Sequence, residues 1–328
     1  MMPSSRDDSH PPAVSVLIPT KNGATYLAEI LAAVRQQQGD FRLCQIIAVD
    51  SGSRDGTLQI LQQYGVKILQ IPSREFSHGK TRNLLASQGE GEYLVFLTQD
   101  ATPANDHWLQ NLLAPLRADS QIAGAYSRHL PRPTCHPMEW HRIVAFDCPP
   151  DSSVRTASDN PDFALHPERY RGFANTSSVL RRSVWEQLPF PEVDFAEDQA
   201  WAECVLRAGY KTAYVADSII FHSHSYGAWA NFCRHFEHYV AMRLLFAHEP
   251  MHKLQDSLQA TLRNVRSDLA FWCHHSGQRK AHVALRWAFP ALSWYVAAEI
   301  GTWLGERYDR LPQWLVRRLS LQEQLKRG

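Results

Sequence analysis

The sequence predicts an α/β fold, a mostly parallel central sheet with helices on both faces, followed by a C-terminal helical extension. Three observations carry this expectation. Short β-branched runs alternate with amphipathic helical stretches of roughly 10–15 residues through the first half of the chain, the pattern of strand–helix–strand units. The runs are apolar throughout rather than at every second position, as strands buried on both faces are. Their C-terminal ends carry small, polar and charged residues, where open α/β sheets bind ligands.

The elements follow in order. VSVLIPT (14–20) reads as a strand, and Tyr26, Leu27, Ile30, Leu31 and Val34 form the stripe of a helix behind it. QIIAVD (45–50) is a second strand; Asp55 can cap a helix through GTLQILQQYG, which Gly65 closes. VKILQIP is a third strand, and a helix is expected from His78 to Gln88, stopping at Gly89. YLVFLTQD (93–100) is the next strand, with a helix from Asp106 through Arg117. Residues 127–190 are proline-rich and irregular at first, then RGFANTSSVLRRSVWEQL resumes as a strand leading into a short helix.

FPEVDFAEDQAWAECVLRAGYK (190–211) sets Glu197 and Asp198 at the start of a helix with Trp201, Val205 and Ala208 on its apolar side and Gly209 at its end. In SIIFHSHSYG (218–227), His222 and His224 are two apart and share one face if the strand continues through them. Trp229, Phe232, Cys233, Phe236, Val240 and Leu244 mark an amphipathic helix over Trp229 to His248, and residues 254–328 add helices rich in Trp, Leu and Arg. The expected organisation is a flexible N-terminus (1–12), a half carrying the strand–helix units (13–130), a half carrying the acidic pair and the two histidines (131–228) and a helical extension (229–328).

Composition narrows the function. A 328-residue chain with 44% hydrophobic and 20% charged residues is expected to be globular, and a net charge of +1 gives no general attraction to nucleic acid. The six cysteines form no CxxC, and MMPSSRDDSHPP lacks the order of a signal peptide, so free thiols and a cytoplasmic location are expected. The most apolar stretch, 283–304, is interrupted by Arg286, Pro290 and Glu299, and no membrane span is expected.

There is no Walker loop, GxGxxG, GxSxG or HExxH. Turn chemistry or helix capping explains any one of the polar strand ends, and first-turn acids such as Glu197 and Asp198 also suit a helix dipole. Several such ends on one edge point instead to a site. Either histidine of the 222/224 pair can bind a divalent cation as a neutral imidazole. Adjacent acids at a helix start diverge, which disfavours glycoside hydrolysis. The spacing of Cys233, His235 and His238 fits no zinc finger.

VSVLIPTKNGATYL, VDSGSRDGT, HGKTRN, LVFLTQDA and FAEDQAWAECVLRAGYK together resemble the inverting nucleotide-sugar transferases of glycosyltransferase family 2, with the Rossmann-like GT-A fold. Within that family they are most similar to bacterial rhamnosyltransferases of surface-polysaccharide synthesis. The resemblance runs over about residues 13–226. It implies a nucleotide-sugar site at Pro19, Thr20, Lys21 and Asn22, at Asp50 and Ser51, and at His78, Lys80, Arg82, Asn83 and Gln99. Lys21 stands where the family often has an aromatic, and Ser51 where a second aspartate is common.

The family's metal-binding DxD is here Thr98, Gln99 and Asp100, its first acid missing. A hard cation needs only one or two protein carboxylates when phosphates and water complete its shell. The resemblance therefore implies Mg²⁺ or Mn²⁺ held by Asp100 with His222 or His224. It also implies Asp198 as the base that deprotonates the acceptor hydroxyl, with Glu197 orienting it or binding the acceptor. The implied partners are a dTDP- or UDP-sugar donor, with dTDP-rhamnose foremost, and a lipid-linked or glycan acceptor. Trp303, Trp314, Leu315, Arg317 and Arg318 suit peripheral membrane contact, while a packed helical subdomain or a homodimer interface accounts for them as well. An inactive nucleotide-sugar-binding protein is the reading from a different class.

Overall fold

The structure is a computed structural model that describes residues 13–144, 149–158, 160–247, 249–276, 280–320 and 323. The expected N-terminal segment 1–12 and Cys148 lie outside the described residues. The chain forms two compact units. One comprises the described residues of Met1–His129, Pro149–Glu192 and Glu197–His222; the other comprises those of Leu130–Cys148, Val193–Ala196 and Ser223–Gly328.

The first unit is built on one sheet. Strands β1 (Ala13–Thr20), β2 (Arg42–Asp50), β3 (Lys67–Gln70) and β4 (Tyr93–Leu97) are parallel, in the order β3-β2-β1-β4. Helices α1 (Ala24–Arg35), α2 (Thr57–Gln63), α3 (His78–Gln88) and α4 (Trp108–Ala118) follow the strands as the periodicity predicts. The apolar runs are buried on both sides for the expected reason. Val14, Val16 and Ile18 of β1 pack with Leu27, Ile30 and Leu31 of α1 and with Leu109 and Leu112 of α4. Leu17 points the other way and joins Phe96 of β4 and Leu85 of α3.

Beyond β4 the sheet continues as β8 (Ser177–Arg181), β6 (Ile122–Leu130), β9 (Lys211–Phe221) and β5 (Thr102–Pro103), with β7 (Ser153–Thr156) also on β9. Here the pairings β4–β8, β6–β8, β5–β9 and β7–β9 are antiparallel. The stretch expected to be irregular thus contains the end of β6, α5 (Pro137–Arg142), β7 and α6 (Pro161–Leu165). IAGAYSRHL escaped notice because it mixes small and polar residues, yet its first four residues are buried. The predicted strand and short helix after Arg171 are β8 and α7 (Arg182–Trp185).

A polar knot fastens this half of the sheet. The buried Trp108 indole donates to Ser127 (3.1 Å) and Ser177 (3.0 Å), Ser127 bonds Ser218 (2.8 Å), and Ser218 donates back to the Trp108 carbonyl (3.0 Å). Every hydroxyl in it has a partner, so the network adds specificity without the cost of an unmet donor. It joins α4 to β6, β8 and β9.

In the second unit α9 (Ala228–Phe246), α10 (Leu254–Ser276), α11 (Lys280–Gly305) and α12 (Gln313–Leu319) follow one another. Phe232, Cys233 and Phe236 of α9 are buried with Leu319, so that part of the predicted stripe is core. Trp229 and Leu244, its two ends, are exposed instead. Gly301 and Gly305 of α11 let its backbone lie directly on α9: a Cβ at Gly305 would sit 2.5 Å from the Phe236 carbonyl oxygen. Cys44, Cys135, Cys204, Cys233 and Cys273 are thiols, as expected.

Candidate active site

The parallel strands deliver their polar C-terminal ends to one edge, where hydrogen bonds tie them together. The Ser51 amide donates to the Thr20 carbonyl (2.9 Å), the Ile71 amide to that of Asp50 (2.9 Å), and the Ser73 hydroxyl to that of Ser51 (2.6 Å). Gln99 clasps the loop after β1 with both ends of its carboxamide, accepting from the Lys21 amide (2.8 Å) and donating to the Lys21 carbonyl (2.8 Å). A carboxylate has no donor for that second bond. Asn22 holds φ +51°, a left-handed conformation that Asn tolerates, and its side chain accepts from the Arg54 amide (2.9 Å).

Several predicted nucleotide residues prove to be builders of this edge. Asp50 is 1% exposed, and its carboxylate accepts from the Gly52 and Ser53 amides (both 3.0 Å) and from the Ser53 hydroxyl, shaping the turn after β2. Asn83 is committed to the chain around Phe190, donating to that carbonyl (2.8 Å) and accepting from the Phe190 amide and the Trp185 indole (both 3.0 Å). Thr20 and Ser51 are buried, whereas Pro19 and Lys21 are partly open. Lys80 is exposed and pairs loosely with Glu192 (3.6 Å).

Arg82 departs most from a nucleotide-facing residue. It is 4% exposed, and its guanidinium meets Glu197 (2.9 Å) and the His78 ring Nδ1 (2.8 Å). The HGKTRN segment on α3 is thereby joined to the acidic pair on α8 (Glu197–Arg207). Glu197 is 3% exposed and also accepts from the Asn175 carboxamide (3.0 Å). Burial pushes the Glu197 carboxyl up, but the Arg82 charge, His78 and the Asn175 hydrogen bond together outweigh it and hold the group below its ordinary range.

Asp198 is its opposite. It accepts only backbone bonds, from the amides of Asn175 (3.2 Å) and Gln199 (2.8 Å). Burial, and then the negative Glu197 next to it, push its carboxyl up to about 7. Two neighbouring acids are thus driven apart in acidity by their partners, the pattern that separates a charge-holding carboxylate from a proton-taking one. Ala196 (φ +58°) enters the helix in a strained conformation of the kind that collects at working sites.

Asn175 carries no periodic or spacing signal, which is why the sequence reading missed it. It touches both acids, and its side-chain oxygen Oδ1 accepts from the Ser178 hydroxyl (2.8 Å). It precedes β8, and the Thr98 amide donates to the Thr176 carbonyl (3.0 Å). The antiparallel β4–β8 pairing therefore puts the acidic pair at the end of β4 that also carries Asp100.

Asp100 meets its predicted partner through another antiparallel register. Thr102 pairs with Phe221, so the residues flanking that pair, Asp100 and His222, converge, with carboxylate Oδ1 3.6 Å from imidazole Nε2. The strand stops at Phe221, so the two histidines do not lie on it, contrary to the expectation drawn from their spacing. Backbone pairing gives out at the sheet edge before reaching them. His222 lies edge-on to His129 (5.5 Å between centroids), while His224 belongs to the second unit, where its ring stacks on Tyr226 (4.7 Å). One carboxylate oxygen and one imidazole nitrogen, both side chains partly open to solvent, are a donor set that fits a divalent cation.

Residues 15–142 match the family model described as glycosyl transferase family 2. The chain is 33% identical over 228 residues to the O-antigen chain rhamnosyltransferase RfbN of Salmonella typhimurium, covering 68% of this chain and 70% of that protein. The chain belongs to glycosyltransferase family 2. A second family 2 relative, the O-antigen chain rhamnosyltransferase WbaN of Salmonella anatum, is 34% identical over 69% of this chain and 71% of its own. Among solved structures, the mannosyltransferase PcManGT from Pyrobaculum calidifontis, in complex with GDP-Man and Mn²⁺, superposes with a TM-score of 0.58 at 18% identity, over 94% of this chain and 90% of that one. That likeness supports the GT-A fold expected for a family 2 glycosyltransferase.

Proposed function

We propose that this family 2 enzyme is an inverting rhamnosyltransferase, moving L-rhamnose from dTDP-rhamnose to a hydroxyl of a lipid-linked or polysaccharide acceptor. The observation that carries the mechanism is the split acidic pair. Asp198, held near about 7 by burial and by Glu197, can take the acceptor's proton at physiological pH, the condition for efficient general-base catalysis. The deprotonated hydroxyl attacks the anomeric carbon from the face opposite the diphosphate, so the bond to the diphosphate oxygen breaks with inversion.

Glu197, charge-paired with Arg82, stays ionised and positions its neighbour while Asn175 spaces the two. The strand-end loops carrying Pro19, Thr20, Lys21 and Asn22, with Ser51, His78 and Lys80, form the donor cradle. Asp50, Asn83 and Gln99 give it shape, and Lys21 supplies a cation near the cradle's mouth. Asp100 and His222 would hold Mg²⁺ or Mn²⁺. When bound, that cation neutralises charge gathering on the departing nucleoside diphosphate. The choice of rhamnose rests on the names of the two O-antigen relatives.

A thermal-shift panel tests the reading. With Mn²⁺ present, dTDP-rhamnose should raise the melting temperature more than UDP-glucose or GDP-mannose. A larger rise with one of the others would replace the donor, and no rise with any nucleotide sugar would defeat the enzymatic assignment.

A further inference from the structure

We infer that the outer face of α11 is a docking surface for an anionic lipid bilayer. Leu285, Phe289, Leu292, Val296 and Ile300 recur every three or four residues and so share one side of the helix. All five are exposed, Leu285 at 87% and Phe289 at 78%. They extend over roughly 22 Å of helix at about 1.5 Å per residue. On the opposite side Val283, Ala291, Trp294 and Ala298 are buried. The helix is therefore apolar on both sides, although only one side is covered within the unit. A helix hydrophobic all round is normally buried, and an exposed stripe of this size marks an interaction surface.

Charge selects the occupant. Among the described residues from 257 to 320, the exposed ionised side chains are Arg263, Arg266, Arg286, Arg310, Arg317 and Arg318, against Asp309 alone. Asp309 is itself paired with Arg243 (3.4 Å). A second copy docked through this face would bring two arginine-rich helical units together, which like-charge repulsion opposes. An anionic lipid surface complements it. No described helix is long and apolar enough to cross a membrane, so the fit is a helix lying in the interface. Trp314 of α12, 65% exposed, is of the type enriched at that depth.

The inference is independent of the sugar and of the role of Asp198, and it is measured without substrate. The full chain is sedimented with vesicles of phosphatidylcholine plus phosphatidylglycerol and with vesicles of phosphatidylcholine alone. The wild type should bind the anionic vesicles, more weakly as salt rises. The paired substitution Phe289→Ser with Val296→Ser, at solvent-facing positions that leave the core intact, should weaken binding at least about tenfold. A circular-dichroism melt checks that this variant remains folded. Equal binding by variant and wild type, or no wild-type binding, would overturn the proposal. A concentration-dependent dimer abolished by the same substitutions would overturn it in favour of a second copy.

Discussion

Replacing Glu197 with Gln keeps the shape of the side chain but removes the anion from a buried pair. Arg82 and Glu197 meet at 2.9 Å with side chains 5% and 4% exposed, so water does little to screen either. The guanidinium is left buried without its ion-pair partner, and breaking such a pair costs about 3–5 kcal/mol. The same change removes the second cause of the raised Asp198 pKa, leaving burial alone to hold it up. Glu197→Gln should therefore lose about 3 kcal/mol or more in urea unfolding. It should also bring the Asp198 titration below about 7, read from carbon-13-labelled aspartate carboxyls. A variant that is destabilised while Asp198 titrates as before would refute the coupling between the acids. One that is not destabilised would refute the buried ion pair.

Asp198→Asn should abolish nucleotide-sugar turnover while retaining dTDP binding by calorimetry, and its stability below about pH 3.8, where Asp198 is protonated in both states, should change by no more than about 1 kcal/mol, the worth of one hydrogen bond. Because folding raises the Asp198 carboxyl from 3.8 to about 7, the folded state holds a proton that the unfolded chain releases between those values. Its stabilising contribution is full below 3.8 and is lost as pH rises to about 7, so the stability difference should move in the Asn variant's favour from about pH 5 to about 8. Turnover by the wild type should in turn rise with pH through about 7, and a flat profile there would exclude Asp198 as base. Asp100→Asn and His222→Ala should each remove the stabilisation that Mn²⁺ adds to the dTDP complex; an unchanged metal response in both would displace the cation from this pair.

The parallel half of the fold was legible because it obeys two local rules: strands buried on both faces are continuously apolar, and helices repeat every three to four residues. Leu17 and Ile18 on opposite faces of one strand illustrate the first. The antiparallel half was less legible because β6 owes its place to cross-strand register and to the Trp108–serine knot, not to composition. The same division runs through the site. The convergence of Asp100 with a histidine beyond β9 was anticipated from the family pattern. The family resemblance implied a nucleotide role for Arg82, yet α3 turns it toward Glu197. Asp50 and Asn83 likewise spend their hydrogen-bonding capacity on the chain. Asn175 could be found only through the fold, since residues from two distant segments meet at it.

The most direct test of the account is the release of dTDP from dTDP-rhamnose by the purified protein in Mn²⁺, followed by phosphorus NMR. The wild type should release dTDP slowly to water and faster when a suitable acceptor glycan is added, and Asp198→Asn should release none. Turnover by Asp198→Asn at the wild-type rate would contradict the assignment of the base, and no turnover of dTDP-rhamnose under any acceptor condition, with another nucleotide sugar consumed instead, would contradict the assignment of the donor.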